Sequence, residues 1–266
     1  MNNILQQIVE QKLAEVDEQR GLYPIKLLER SIYFETRPLS LKKYLLRQDL
    51  QGIIAEFKRR SPSKGMINEF ADVQRVTLGY MQAGASALSV LTDPTFFGGS
   101  NKDLTEARRF NFCPVLRKDF IIDEYQVIEA KSIGADAVLL IAAILTRDEI
   151  KALGRLALSL GMEVVLEVHD ESELDKLPDF EVITGINNRD LKTMITDLNT
   201  SFKLAGHLPG NQLKVSESGI TSADDILRLR QAGYQGFLIG EYFMQHSSPQ
   251  HACRKLVNEL RKHANP

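Results

Sequence analysis

Ile-Ile-Ala-Glu-Phe-Lys-Arg-Arg-Ser-Pro-Ser-Lys-Gly, residues 53 to 65, decides how this chain folds. Its first half is apolar on both sides of a strand. Successive side chains face opposite ways, with Ala55 and Phe57 on one side and Ile54, Glu56 and Lys58 on the other. A strand without a solvated face belongs in a sheet covered on both sides, the habit of parallel sheets joined by helices. The second half opens into a loop offering Ser61, Ser63 and the Gly65 amide, a donor set that suits an anion. A lone Glu-x-Lys is usually a solvated ion pair. Between a buried strand and a donor-rich loop, Glu56 and Lys58 read instead as one wall of a site.

Outward from this stretch the same grammar repeats to the C-terminus. Short apolar runs fall at 52–57, 87–91, 113–116, 137–141, 163–167, 182–186, 212–215 and 237–239, with longer amphipathic runs between them. Helix starts are marked by Asp123, by Thr146 with Glu149, by Asp170 with Glu173 and by Thr221 with Asp224. Gly134, Gly161 and Gly233 stand where those helices should stop. Eight helix–strand units of this kind predict an α/β fold, a (β/α)8 TIM barrel over residues 51–266. An open doubly wound sheet is the alternative, but no G-x-G-x-x-G opens any helix. Residues 1–50 read as an N-terminal helical extension of the same domain. Ile4, Leu5, Ile8, Val9, Leu13 and Val16 fall at helical spacing, and Ser40 caps a second piece carrying Leu41, Tyr44, Leu45 and Leu46. Gly21, Pro24 and Pro38 break the segment between them.

At 266 residues the chain can bury a full core without a staple. Its 33 basic and 35 acidic residues leave a net charge of −2, no field for nucleic acid or an anionic membrane. Cys113 and Cys253 form no Cys-x-x-Cys pattern, and no signal-peptide or transmembrane pattern is present, so a soluble, cytoplasmic protein is expected. The five histidines, at 169, 207, 246, 251 and 263, show no ligand spacing and read as structural or surface residues. Cys113 lies at the wrong end of its strand for catalysis. No metal and no cofactor are expected, and a monomer or weak homodimer acting on a small phosphorylated molecule is.

In such a barrel the chemistry lies where the strands end. The ends offer Glu56 and Lys58; Ser89, Thr92 and Asp93; Lys118 and Asp119; Glu167; Asn187 and Arg189; and Glu217 and Ser218. One polar strand end is only a solvated cap, but six converging, with Phe96, Phe97 and Phe120 just beyond, point to a site. Gly219 and Gly240 follow the last two strands, where barrels often hold phosphate.

The stretches Ile54–Gly65, Ser89–Ser100, Pro114–Phe120 (Pro-Val-Leu-Arg-Lys-Asp-Phe), Gly185–Leu191 (Gly-Ile-Asn-Asn-Arg-Asp-Leu) and Ser216–Ile220 (Ser-Glu-Ser-Gly-Ile) resemble indole-3-glycerol phosphate synthases. The resemblance spans almost the whole chain, in order. It implies conversion of 1-(2-carboxyphenylamino)-1-deoxyribulose 5-phosphate to indole-3-glycerol phosphate, carbon dioxide and water, in tryptophan biosynthesis. By motif position it makes Lys118 the general acid of ring closure and Glu167 the stabiliser of positive charge on the anilino system. Glu56 and Lys58 would handle protons in the dehydration. Asn187, Glu217 and Ser218 would hold the sugar hydroxyls and catalytic side chains. Ser61, Gly219, Gly240 and the Glu241 amide would hold the phosphate, with Arg189 bracing the pocket. Ser89, Phe97, Phe120, Leu139 and Leu238 would enclose the aromatic ring.

Burial would disfavour the Lys118 ammonium, whereas neighbouring carboxylates would favour it. Glu241 stands where small residues are common in the family, so its side chain is expected to turn outward and leave only its amide to the phosphate. A phosphoribosylanthranilate isomerase shares barrel and phosphate site but resembles a cysteine and aspartate acid/base pair, which Glu56 and Lys58 do not match. A Schiff-base lysine at Lys118 and a barrel that binds without catalysis are the other readings.

Overall fold

The computed structural model describes residues 4–191 and 193–264. Eight parallel strands close into a barrel: β1 Ile53–Phe57, β2 Ala87–Leu91, β3 Val115–Lys118, β4 Ala137–Ile141, β5 Glu163–Val168, β6 Ile183–Asn187, β7 Lys214–Glu217 and β8 Gly236–Ile239. Each pairs with the next in sequence, and β8 pairs with β1 through Ile53–Phe237, Ile54–Leu238 and Ala55–Ile239. Two strands lie two residues later than their apolar runs suggest. β3 continues through Arg117 and Lys118, and β7 through Ser216 and Glu217. Hydrophobicity truncates these strands because their far ends carry the charges of the site.

Period-two alternation sorts the strand residues into two cores. Ile53, Ala55, Phe57, Leu88, Val90, Val138, Leu140, Val164 and Leu166 face the surrounding helices. Ile54, Ala87, Leu116, Leu139, Val165, Ile183, Val215 and Leu238 fill the barrel interior. The helix starts follow local capping chemistry. Asp123 and Thr146 form capping boxes with Gln126 and Glu149. Ser222, one residue later than expected, caps with Asp225, and the Thr221 amide donates to the same carboxylate at 3.0 Å. Asp170 starts only a 3-10 turn, Glu171–Lys176. Gly134, Gly161 and Gly233 take φ of 94°, 79° and 87° at the helix-to-strand turns, a left-handed conformation that a side chain would oppose.

The extension caps both ends of the barrel. Helix α2, Leu41–Leu45, is capped by Ser40, whose hydroxyl also donates to Glu163 Oε1 at 2.5 Å, and it seats Leu41 and Leu45 in the interior cluster. Helix α1, Ile4–Leu22, contributes Leu5 and Ile8 to that same cluster. Its buried face differs from the apolar reading: Leu13 is 58% exposed, whereas Lys12 is 3% exposed. The Lys12 ammonium lies 2.8 Å from Asp93, 3.1 Å from Asp119 and 2.7 Å from Glu15. A lysine takes the inward position because two carboxylates already wait there.

Candidate active site

The register brings the charged residues to one level at the C-terminal mouth. Glu56 is level with Ser89, Leu91 with Lys118, Ile141 with Glu167, and Asn187 with Glu217. All continue the inward-facing positions of their strands, so carboxylates and amines meet over the interior core. Room for them comes from two missing side chains. A Cβ on Gly185 would lie 2.3 Å from Glu217 Oε1, and one on Gly240 would lie 2.3 Å from Glu56 Oε1.

At the centre, Lys118 Nζ donates to Glu167 Oε2 at 2.7 Å and to Glu217 Oε2 at 2.5 Å. Burial works against the ammonium, but Glu167, Glu217 and Glu56 outweigh it and hold the Lys118 pKa above the ordinary lysine value. A lysine so charged is a proton donor and a poor Schiff-base nucleophile. The two carboxylates diverge. Glu167 is held below its usual range, because Lys118 and His169 overcome its burial. Glu217 is pushed up to about 7 by burial, with Glu167 and Glu56 adding to the rise against the pull of Lys118. Glu217 Oε1 is buried with no protein hydrogen-bond partner among the described residues, leaving an acceptor on the wall of the cleft. Lys58 pairs with Glu56 at 2.7 Å. Cys113 and Cys253 are buried thiols pushed up to about 12 by desolvation, which leaves neither as a nucleophile.

The cleft above this layer holds about 830 Å³ of space, mouth included, and is lined by Glu56, Lys58, Ser61, Phe97, Lys118, Phe120, Leu139, Glu167, Asn187, Arg189, Glu217, Ser218 and Leu238. Ile4, Leu5 and Ile8 of α1 form its roof. Phe97 and Phe120 stand with ring centroids 6.0 Å apart, an apolar wall for a planar ring. Asp93 fixes that wall by accepting from the Phe96 and Phe97 amides at 2.6 and 3.1 Å. Ser89, expected around the ring, is instead fully buried below the cleft, its hydroxyl 3.4 Å from Glu56 Oε2. It is level with Glu56 but covered, and it does not line the cleft that Glu56 lines.

A second cavity of about 610 Å³ shares Glu56, Lys58, Arg189, Ser218 and Leu238 with the first and extends over Gly219, Gly240 and Glu241. Ser218 and Gly219 take φ of 68° and 80° in succession, turning the chain sharply after β7. The Glu241 carboxylate is not left to solvent. Arg189 donates to it at 3.0 Å and to Ser63 Oγ at 2.6 Å, and Lys64 stands 3.6 Å away. Three loops are thereby tied together around this end of the site.

The family model described as indole-3-glycerol phosphate synthase matches residues 5–256. The chain belongs to the indole-3-glycerol phosphate synthase family. It is a carboxy-lyase of tryptophan biosynthesis. An indole-3-glycerol phosphate synthase of Bacteroides thetaiotaomicron is 47% identical over 260 residues, 98% of this chain and 100% of the relative. One from Magnetococcus marinus is 42% identical over 262 residues, 96% and 98% of the two chains. Among solved structures, 3-hexulose-6-phosphate synthase of Salmonella typhimurium shares the barrel at a TM-score of 0.63 and 12% identity, over 80% of this chain and 99% of that one. Tryptophan synthase subunit alpha of Legionella pneumophila does so at 0.57 and 13%, over 84% and 97%. At those identities the likeness is one of fold.

Several residues at this family's site escaped the sequence reading. Asn188, beside the expected Asn187, donates from Nδ2 to Ser216 Oγ and to the Glu217 and Ser218 carbonyls at 2.9–3.0 Å, holding the end of β7 in place. The roof residues of α1 gave only an amphipathic signal. His169 carried none, yet its Nε2 lies 3.2 Å from Glu167.

Proposed function

We propose that the family's three chemical steps are divided among the residues of this mouth as follows. The substrate's aromatic ring lies between Phe97, Phe120 and the α1 roof, and its phosphate lies over Gly219 and Gly240, with Ser61 and the Glu241 amide as further donors. The ring carbon bearing the carboxylate attacks the ribulose carbonyl carbon. Lys118 gives its proton to the carbonyl oxygen as that oxygen gains negative charge, so the alkoxide leaves the step as a hydroxyl. A lysine held strongly protonated parts with its proton only at that moment, when the acceptor has become the stronger base.

The new bond leaves the anilino system cationic, and Glu167, ionised and 2.7 Å from Lys118, steadies that charge. Cleavage of the ring–carboxylate bond then returns its electron pair to the ring, and carbon dioxide departs. In the dehydration the hydroxyl leaves as water and a proton is removed to complete the indole; Glu56 and Lys58, paired across β1, carry those protons. Asn187, Glu217 and Ser218 hold the sugar hydroxyls, with the free Glu217 Oε1 as acceptor, and Arg189 braces the loops.

The observation that carries this reading is the Lys118 ammonium gripped by two buried carboxylates at the centre of a cleft with one apolar and one donor-rich end. Indole fluorescence after addition of the carboxyphenylamino substrate tests it directly. Lys118→Ala should lower turnover by roughly 10² to 10⁴ while binding persists through the phosphate. Glu167→Gln should slow turnover at least about tenfold at nearly unchanged affinity. Turnover of Glu167→Gln close to the parent's would reduce Glu167 to a structural partner of Lys118.

A further inference from the structure

Each oxygen of Glu167 faces a nitrogen, Oε2 in a hydrogen bond and Oε1 in a charge contact, and only the first of these belongs to the machinery described so far. Oε2 receives Lys118. Oε1 faces the imidazole of His169, two residues further along the chain, with Nε2 at 3.2 Å in a charge contact. The other side of that imidazole faces Glu173: Nδ1 is 3.3 Å from Oε2, and the His169 amide donates to the same oxygen at 2.7 Å. Glu173 is buried on the 3-10 turn, and that turn is pinned to the end of β4 by Lys176, which donates to the Ala142 and Leu145 carbonyls at 2.6 and 2.9 Å. A carboxylate, an imidazole, a carboxylate and an ammonium thus stand in line from the 3-10 turn to the centre of the barrel.

We propose that His169, held by Glu173, is a positioning residue for ring closure: as an imidazolium it fixes Glu167 Oε1, so that the carboxylate stays charged with Oε2 turned to Lys118 and the substrate. This rests on the reading in which Glu167 stabilises the cation formed at ring closure. The charge balance requires such a holder. Glu167 faces Lys118 from β3, Glu217 from β7 and His169 one residue beyond its own strand, while Glu56 on β1 faces Lys118 and Glu217; the facing groups of His169 are Glu167 and Glu173. Lys58 is engaged by Glu56, so without the imidazolium the Lys118 ammonium alone would serve both Glu167 and Glu217, and Glu167 would compete with Glu217 for a proton. Burial opposes charge on His169, but its two carboxylate neighbours outweigh that and raise its pKa to about 10.

The test compares kcat, KM and the pH dependence of kcat in the parent and in His169→Ala, His169→Gln, Glu173→Gln and Glu167→Gln. His169→Ala should lower kcat about tenfold with KM within a factor of about two, since the interaction is with a group acting in the transition state. His169→Gln retains a donor near Nε2 without its charge. It should recover part of the rate while the acid limb of kcat stays about one unit above the parent's, because Glu167 then takes a proton more readily. Glu173→Gln leaves the imidazole in place but removes its anchor, and should bring an alkaline loss of rate to lower pH; it decides the matter should the His169 variants not fold. Parent-like kcat and unmoved limbs in His169→Gln and Glu173→Gln, alongside a slow Glu167→Gln, overturn the role of His169 alone. A fast Glu167→Gln overturns the reading on which it rests.

Discussion

Replacing Lys12 with Met tests whether a buried charge cluster, and not apolar packing alone, holds α1 on the barrel. The change keeps length and bulk and removes one charge. Lys12 and Arg117 are the cations among Glu15, Asp93, Asp119 and Glu129; Arg117 is 3.1 Å from Asp119 and 2.6 Å from Glu129. Two positive and four negative charges leave a net of −2, which becomes −3 in the variant. Lys12, Asp93 and Asp119 are nearly inaccessible to solvent, so water cannot take over the lost contacts. Removing one partner from a buried pair typically destabilises by about 3–5 kcal/mol. In a chain of this size that corresponds to a fall in Tm of roughly 6–20 °C. Because α1 carries Ile4, Leu5 and Ile8 over the cleft, KM should rise in parallel. Thermal and urea unfolding give the stability, and a cycle with Asp93→Asn should return a coupling of about 1–3 kcal/mol. Stability within about 1 kcal/mol of the parent would show that apolar contacts seat the helix and that the cluster is a bystander.

Gly240→Ala should lower turnover sharply while the barrel persists, because the new Cβ displaces the Glu56 carboxylate and with it the Lys58 pair; overpacking of this kind costs about 1–3 kcal/mol, and an unchanged Glu56 position in a crystal structure of the variant would refute the steric argument. Crystals grown with sulfate should show the anion against the amides near Gly219 and Gly240 with Ser61 close by, and an anion held elsewhere, with Glu241 filling this place, would move the phosphate site. Asp119 is lowered from 3.8 to about 2, because Lys12, Arg117 and Thr92 outweigh its burial. Its folded value lies below the unfolded one, so its contribution of about 2 kcal/mol is present above pH 3.8 and lost as the pH falls through 2. Urea midpoints for the parent and Asp119→Asn should therefore converge as the pH is lowered toward 2; parallel curves would count against the assignment.

Much of the fold was legible because it is local. Apolar runs with no polar face, Asp and Thr at helix starts, and Gly134, Gly161 and Gly233 at the turns each act within a few residues of themselves. What misled the reading was charge placed inside. Arg117, Lys118 and Glu217 fell beyond the apolar runs although they lie on the strands, because a hydrophobic pattern has no way to mark a lysine that points into a barrel. Lys12 looked like solvent-facing helix, since the carboxylates that make its burial favourable lie 81 and 107 residues away in sequence, at Asp93 and Asp119. His169 looked inert because its partners do not form a ligand pattern: Glu167 stands near the end of β5 at the mouth and Glu173 sits on the following 3-10 turn.

Gly185 and Gly240 make the room in which the carboxylates sit. Read along the chain, a glycine near a strand end signals a turn or a backbone amide open to phosphate, and Gly240 invites both readings. In the closed barrel each occupies an inward position next to a strand that delivers a carboxylate, and the missing side chain is the volume that carboxylate fills. The top of the barrel interior is therefore not a layer of packed apolar residues but one in which Gly alternates with Glu, and a lysine sits between the acids. The apolar layers beneath make those charges expensive to leave unpaired, which is why Lys118 is held by two carboxylates at once and why their pKa values part, one down and one up. A site that must supply a proton and steady a cation within one cleft needs that divergence, and here it follows from where the small residues fall in the register of the strands.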